Sequence, residues 1–218
     1  MISNYDLSKL PDLICHQLES FFPLSIKEKI LLHSSFPIVI EREEKCLERV
    51  DNKYFHRNGH TFFSPFHSGE WLIMLYYWGN TLSTKLSLTD ECNKENVNKI
   101  LADKIYYLNK ILHAVDIYHE VELPDSFFLE HPVGTVLGRA IYKDGFMAYQ
   151  NCTVGGNKGY YPSLGENFKM MSGSKFLGKS VVGNNVTLAA NAYVKDTDIP
   201  DNATVFGTSP NLIIKYLK

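Results

Sequence analysis

The sequence predicts an α+β chain, an α-helical domain over residues 1–113 followed by a parallel β-helix over residues 114–218. Three observations predict it. Up to about His113, apolar residues recur at threes and fours, the helical spacing. From Leu164 they recur every six residues instead, at Leu164, Met170, Phe176, Val182, Leu188 and Val194, with Pro200 next in phase. Between them crowd turn formers: Gly165, Asn167, Gly178, Gly183, Asn184, Asn185, Asn191, Asp201 and Asn202. Strand alternation repeats at two and a helix at 3.6. A period of six needs short flat strands joined by tight corners, each side burying one residue inside a stacked coil.

A second inward position falls four places on, at Phe168, Ser174, Ser180, Val186, Ala192, Asp198 and Thr204. Upstream the phase continues through Ile117, Leu123 and Leu129, is interrupted at Thr135 and resumes at Ile141. Phe146 and Cys152 then come one residue early, as a one-residue deletion at a corner would produce. Residues 155–163 break the period altogether with Gly, Pro and paired aromatics, the composition of a loop leaving the wall. Loops on rigid scaffolds are common places for binding residues.

In the first domain, residues 93–112 carry Val97, Ile100, Leu101, Ile105, Leu108, Ile111 and Leu112 on one helical face, expected to pack on the first coil. Residues 65–78 start a helix near Ser68, although the apolar run 71–78 also suits a buried strand. Residues 11–22 and 26–33 form shorter helices, each closed by a proline, and 41–50 is charged and helix-prone.

A net charge of −2 with 44% hydrophobic residues leaves no electrostatic footprint for nucleic acid. The run 71–78 is too short to span a bilayer. Cys15, Cys46, Cys92 and Cys152 show no CxxC spacing, and the opening residues lack the basic and apolar regions of a signal peptide. A reducing, cytoplasmic setting is expected.

His119 and His131 are the only histidines after His113, and Asp116 precedes His131 by fifteen residues. In a coil of three six-residue sides, that interval brings two residues to neighbouring coils near a shared corner. The Asp116 carboxylate could then hold one nitrogen of the His131 ring and leave the other as a base. From spacing alone the plainer reading, a corner histidine and a turn aspartate, stands ahead. Zinc would require a third histidine ligand on the coil, and Gly59 between His56 and His60 argues for a turn there, so no metal is expected.

Three segments in order, Val115-Asp116-Ile117, Leu129-Glu130-His131 and Gln150-Asn151-Cys152-Thr153-Val154-Gly155-Gly156, resemble the serine acetyltransferase branch of the hexapeptide acyltransferases. Phe206-Gly207-Thr208-Ser209-Pro210 resembles that branch's closing motif, so the resemblance covers residues 115–212. It implies a left-handed coil and an acetyl-CoA-dependent O-acetyltransferase, with His131 as general base and Asp116 orienting it. Gly155 and Gly156 would line the pantetheine arm, and Ser172 and Ala190 would face the CoA. The site would form between subunits of a homotrimer, with pairing of trimers through the helical domains a further option.

The chain departs from the resemblance at the acceptor end. An Arg-His pair precedes the loop proline in the serine enzymes; here Tyr160-Tyr161 precede Pro162. A tyrosine cannot grip a carboxylate bidentately as an arginine does. Glu130 replaces an aspartate, and Asp51 lies near a second substrate-holding aspartate, so these four residues are the candidate acceptor contacts. Members that dock on cysteine synthase end in an isoleucine tail. This sequence closes on Tyr216-Leu217-Lys218, so no such docking is expected. Aromatic faces suit sugar rings, which points to a sugar or serine-like acceptor in surface polysaccharide biosynthesis. Serine O-acetylation for cysteine biosynthesis is the alternative, and a non-catalytic scaffold is the less favoured third.

Overall fold

The computed structural model of the chain describes residues 1–85 and 94–216. Cys92, the start of the predicted helix at Asn93, and the closing Leu217-Lys218 lie outside the described residues. Two compact units divide the chain, Met1–His113 and Ala114–Lys218.

The second unit is a parallel β-solenoid with three walls. One wall stacks Asp116–Ile117, Val136–Leu137, Thr153–Gly155, Lys175–Leu177 and Tyr193–Lys195. The next stacks Phe127–Leu129, Phe146–Ala148, Lys169–Met170, Thr187–Leu188 and Ala203–Thr208. The third holds Ser163–Leu164 on Val181–Val182, extended by bridges from Ile141 and Ile199. Ala203–Thr208 also pairs antiparallel with Asn211–Tyr216.

Leu164, Met170, Phe176, Val182, Leu188 and Val194 all point into the coil and are buried, as are Phe168, Ser174, Ser180, Val186 and Ala192. Phe168 lies between Phe146 and Phe176, with ring centroids 6.4 and 5.3 Å away. The six-residue count slips by one at both ends. Ile199, not Pro200, pairs with Val182 and is buried, so Ala203 and Val205 turn inward in place of Thr204. Asp198 stays outside, where its Oδ1 accepts a hydrogen bond from Val181 N at 2.9 Å. Upstream, Ile141 is 62% exposed and Tyr142 takes the buried place, its hydroxyl donating to Gly138 O at 2.8 Å. Thr135 does occupy an inward position. Its Oγ1 donates to Tyr149 O at 2.7 Å and accepts from Cys152 N at 3.3 Å, which satisfies the buried hydroxyl.

The corners are fixed by left-handed residues in register. Between the second and first walls these are Ala114, Gly134, Asn151, Gly173 and Asn191, with φ from 53° to 75°. Between the third and second walls they are Gly145, Asn167, Asn185 and Asn202. Glycine and asparagine are the residues that enter this region at least cost, which is why turn formers crowd the sequence between inward positions. The asparagines also form a ladder: Asn167 Nδ2 donates to Asn185 Oδ1, and Asn185 Nδ2 to Asn202 Oδ1, both at 3.0 Å.

The first unit packs α1 (Leu10–Glu19), α2 (Ile26–Arg49), α3 (Ser68–Asn80) and α4 (Lys94–His113). A capping box opens α2: Ser25 Oγ accepts from Glu28 N at 3.3 Å and Glu28 Oε2 from Ser25 N at 2.8 Å. The helix then runs through Pro37 and merges the predicted segments 26–33 and 41–50. Proline removes one ladder hydrogen bond and crowds the preceding turn. Burial of Leu32, Val39, Cys46 and Leu47 on either side outweighs that local cost. The run 71–78 is helical rather than extended, and buried all round. Trp71 Nε1 donates to Gln17 Oε1 and Trp78 Nε1 to Ser35 Oγ, each at 3.0 Å. His56–Arg57 pairs antiparallel with His60–Phe63 through Asn58 and Gly59 at φ 52° and 76°, a two-residue hairpin. His56 and His60 therefore lie on strands and not at helical ligand spacing.

Among the described residues of this unit Glu43 and Glu70 are fully buried, whereas the buried Glu28 is paired with Lys104. Neither oxygen of Glu43 has a hydrogen-bond partner; Glu70 Oε2 accepts from Ser64 N while Oε1 has none. Arg42, next to Glu43 in sequence, is committed to Thr81 Oγ1 at 2.8 Å and Asn80 Oδ1 at 2.9 Å. Burial, reinforced by the Glu70 charge, holds Glu43 well above the ordinary carboxyl range. Burial pushes Glu70 up to about 8, against the opposing pull of Ser64 N and Arg57. A carboxyl held neutral in the fold but ionised in the unfolded chain loses stability as pH rises above its unfolded pKa. For Glu70 that loss runs from the ordinary value of 4.5 to about 8, at no more than about 1.4 kcal/mol per pH unit. Urea denaturation followed by far-UV circular dichroism should show wild-type stability falling between pH 5 and 8. Glu43→Gln should flatten that fall and gain about 1–2 kcal/mol at pH 8 but nothing at pH 4.5.

Candidate functional site

His131 stands on an enlarged corner. Leu129 pairs with Ala148 and Val136 with Thr153, so residues 130–135 span a corner that residues 149–152 span one coil on, six residues against four. The two extra residues form a tight turn in which Val133 N donates to His131 O at 2.8 Å, with His131 itself at φ 47°. A left-handed non-glycine residue costs about 1–2 kcal/mol, and it persists here because paired strands clamp both sides of the turn. The imidazole is 81% exposed, and its Nε2 lies 3.3 Å from Glu130 Oε1. Glu130 is anchored in turn by its N–H, which donates to Ala148 O at 2.9 Å.

Asp116 runs beside this turn through its backbone. Its N–H donates to Thr135 O, and Gly134 N donates to Ala114 O, both at 2.9 Å. No hydrogen bond or ion pair joins the Asp116 carboxylate to the His131 ring. In the single chain the carboxylate on that ring belongs to Glu130, the sequence neighbour of a side chain turned outward to solvent. Asp116 instead helps line a cavity of about 220 Å³ floored by Val136, Leu137 and Gly138, with Glu120 and Arg139 also in its wall.

The loop after Gly155-Gly156 is a short anchored turn. Nine residue steps separate Val154 from Ser163, against five from Phe176 to Val181 in the next coil, so the wall gains four residues. Asn157 and Tyr160 exchange backbone hydrogen bonds of 2.9 and 3.0 Å around Lys158 and Gly159, both left-handed. Asn157 Nδ2 donates to Asp196 Oδ2 at 2.8 Å, and Asp196 Oδ1 accepts from Lys179 N at 2.8 Å, tying the turn to the coil above. Gly155 and Gly156 differ in what they face. A Cβ on Gly156 would lie 2.8 Å from the Tyr161 ring, whereas one on Gly155 would meet only Leu177 Cδ2 at 3.5 Å. Packing in its own chain thus requires glycine at 156 and not at 155. The Tyr160 ring is half exposed, with Lys179 Nζ 5.7 Å from its centroid.

Ser172 and Ala190 stack in the corner column that begins at the His131 turn, with Asn191 N donating to Ser172 O and Gly173 N to Gln150 O at 2.9 Å. The structure therefore brings His131, Glu130, Ser172 and Ala190 to one edge of the solenoid. Gly155, Gly156, Tyr160 and Tyr161 lie at the far end of the first wall. Asp51 is exposed in the helical unit, just past α2. Arg139 escaped the sequence reading, although a signal was there: it is the one arginine after residue 113. Cys15, Cys46 and Cys152 are buried thiols outside any disulfide. Among the described residues no group of three or more His, Cys, Asp or Glu side chains could hold a metal ion. No described helix is long and apolar enough to cross a membrane.

A helical unit followed by a solenoid with six-residue sides defines the class, a hexapeptide-repeat protein. Within that class the chain is similar to the serine acetyltransferases. No protein-family profile matches it. The serine acetyltransferase of Synechococcus elongatus is 32% identical over 114 residues, covering 50% of this chain and 46% of that protein. That of Staphylococcus epidermidis is 29% identical over 143 residues, 63% of each. The chain thus spans about half the length of the first relative and under two thirds of the second. The crystal structure of Neisseria gonorrhoeae serine acetyltransferase shares the fold with a TM-score of 0.68 at 20% identity, over 99% of this chain and 82% of that one. A serine acetyltransferase in complex with CoA gives a TM-score of 0.68 at 18% identity, over 96% and 83%.

The two glycines make a direct test of local packing. Gly156→Ala should lower stability by about 1–3 kcal/mol, and Tyr161→Ala in the same chain should restore part of it. Gly155→Ala should leave the thermal midpoint nearly unchanged in the same calorimetric scans.

Proposed function

We propose that this chain is an acetyl-CoA-dependent O-acetyltransferase whose acceptor is serine. The observation that carries the reading is the His131 corner: an exposed imidazole on a two-residue insertion, with a carboxylate 3.3 Å from Nε2, beside a column of small residues. A carboxylate on Nε2 favours the proton there and leaves Nδ1 as the base. His131 takes the proton from the acceptor hydroxyl as its oxygen attacks the thioester carbonyl carbon. The tetrahedral oxyanion is held by a backbone amide, the carbon–sulfur bond breaks, and the imidazolium returns the proton to the departing CoA sulfur. No acetyl-enzyme intervenes. Glu130 orients the base through Nε2, while Asp116, on the strand beside the turn, braces the turn through its backbone bond to Thr135. Gly155, Ser172 and Ala190 are assigned to the pantetheine side, Gly155 because nothing in its own chain excludes a methyl there. A relative described in complex with CoA supports that assignment.

The relatives favour serine over the saccharide acceptor expected from Tyr160-Tyr161, since all those described above are serine acetyltransferases. Tyr161 moreover has a packing task over Gly156. Glu130 and Asp51 remain assigned to the acceptor. Exposed Val133, Ile141 and Val181 on the solenoid support assembly of copies side by side, with the site completed between subunits of a trimer. Buried cysteines held as thiols accord with a reducing cytoplasm.

Thiol release from acetyl-CoA in the presence of L-serine tests the reading. His131→Ala should lower turnover by about 100- to 10,000-fold while acetyl-CoA affinity, measured by calorimetry, stays within about twofold of wild type. Substantial turnover in the variant would remove His131 from the role of base. Light scattering should report a multiple of three subunits, and a monomer would overturn the shared site.

A further inference from the structure

We propose that the Gln150 carboxamide is a second oxyanion donor, its Nε2 holding the thioester carbonyl oxygen as the acceptor hydroxyl attacks. The proposal rests on the acetyl-transfer reading and deepens it. Gln150 is placed by register. Asn151 N donates to Val133 O at 3.0 Å, and Gly173 N to Gln150 O and Asn191 N to Ser172 O at 2.9 Å. Val133, Gln150, Ser172 and Ala190 therefore take one place on successive coils, about 4.8 Å apart. Val133 belongs to the His131 turn, through the 2.8 Å bond from its N–H to His131 O. The base thus stands at the first of these coils, and the small residues assigned to the pantetheine arm stand at the third and fourth. Gln150 occupies the level between them. A thioester joins the acyl group to that arm, so its carbonyl belongs at the same level.

Packing gives no account of this side chain. Gln150 is half-buried, and among the described residues its Oε1 is shut away from solvent with no donor. A buried acceptor left unpaired weakens a fold. Residues that break a local rule at such a cost are expected at functional sites. With the oxygen turned inward, the polar atom that solvent reaches is Nε2, which carries two N–H donors. As the new carbon–oxygen bond forms, the carbonyl π pair moves onto oxygen. An N–H aimed there binds the oxyanion more strongly than the ground-state carbonyl, and that difference lowers the barrier. The pair returns as the carbon–sulfur bond breaks, and the amide is left unchanged. Proton transfer stays with His131, so the carboxamide supplies charge stabilisation alone.

The experiment uses the full chain with Gln150→Leu, which keeps the bulk and removes the donor, and Gln150→Glu, which keeps only acceptors. Gln150→Leu should lower kcat for L-serine acetylation about 100-fold, with the KM for serine and the calorimetric affinity for free CoA within about twofold of wild type. Gln150→Glu should lose at least as much, because its charge opposes the oxyanion. The thermal midpoint of Gln150→Leu should equal or exceed that of wild type, since no bond is lost and an unpaired buried oxygen is removed. S-ethyl-CoA, with a methylene in place of the carbonyl, gives a readout without turnover. Wild type should bind acetyl-CoA about two- to tenfold more tightly than this analogue, and Gln150→Leu should bind the two alike. Unchanged kcat in Gln150→Leu would overturn the proposal while leaving acetyl transfer intact. So would wild-type turnover in Gln150→Glu, which makes the side chain an acceptor, or a raised KM with kcat intact, which moves the contact to the arm or to serine. A changed subunit count in light scattering would overturn it too, giving the carboxamide to a neighbouring copy. Should wild type fail to acetylate serine at all, the transfer reading falls, and the S-ethyl-CoA comparison decides for Gln150. A preference for acetyl-CoA that Gln150→Leu loses upholds the donor; equal binding in wild type, or a preference that the variant keeps, ends it.

Discussion

Every coil of the solenoid must return to its starting direction after seventeen to twenty-two residues and offer its backbone to the coil above. That constraint governs the rest of the structure. It is met at the corners, where a left-handed residue in each coil hands the chain from one wall to the next and its neighbours bond coil to coil. Asparagine and glycine serve there for different reasons. Glycine has no Cβ to clash, and asparagine offers a side chain that bonds to its equivalent one coil away. The interior follows from this frame: once the walls are in register, aligned inward positions stack Phe146, Phe168 and Phe176 without further instruction.

Because strands in register tolerate no insertion, irregularity concentrates at corners, and the candidate chemistry lies where the corners are irregular. The corner 130–135 has two residues too many, and they lift the His131 ring out of the wall. The corner after Gly156 has four too many, pinned by Asn157 to Asp196. Both insertions leave the flanking pairs undisturbed, Leu129 with Ala148 and Phe176 with Val154. A rigid frame thereby fixes the bases of side chains whose tips stay free to meet a ligand.

The period of six made the solenoid legible because inward burial is a one-residue-per-side rule, and one-residue errors appear only where a coil is short. Ile199 took the place expected of Pro200, and Tyr142 that of Ile141, since periodicity counts residues and cannot see a corner lose one. In the helical unit, Pro37 hid the continuity of α2 because local propensity is blind to burial on both sides of a break. The site was legible by residue type and spacing and not by contact. Fifteen residues between Asp116 and His131 placed them near one corner, yet the ring meets Glu130, and spacing gives no account of which way an exposed side chain turns.

The four-residue turn 157–160 has a consequence for how such a protein changes over time. It is closed on itself by the Asn157–Tyr160 pair and fastened to the solenoid by a single side-chain bond to Asp196. Such a segment behaves as a cassette. Its residues can be exchanged for others of equal reach without renegotiating the stack beneath. Whatever the wall presents through that turn is therefore free to diverge quickly, while the coil that carries it stays almost still.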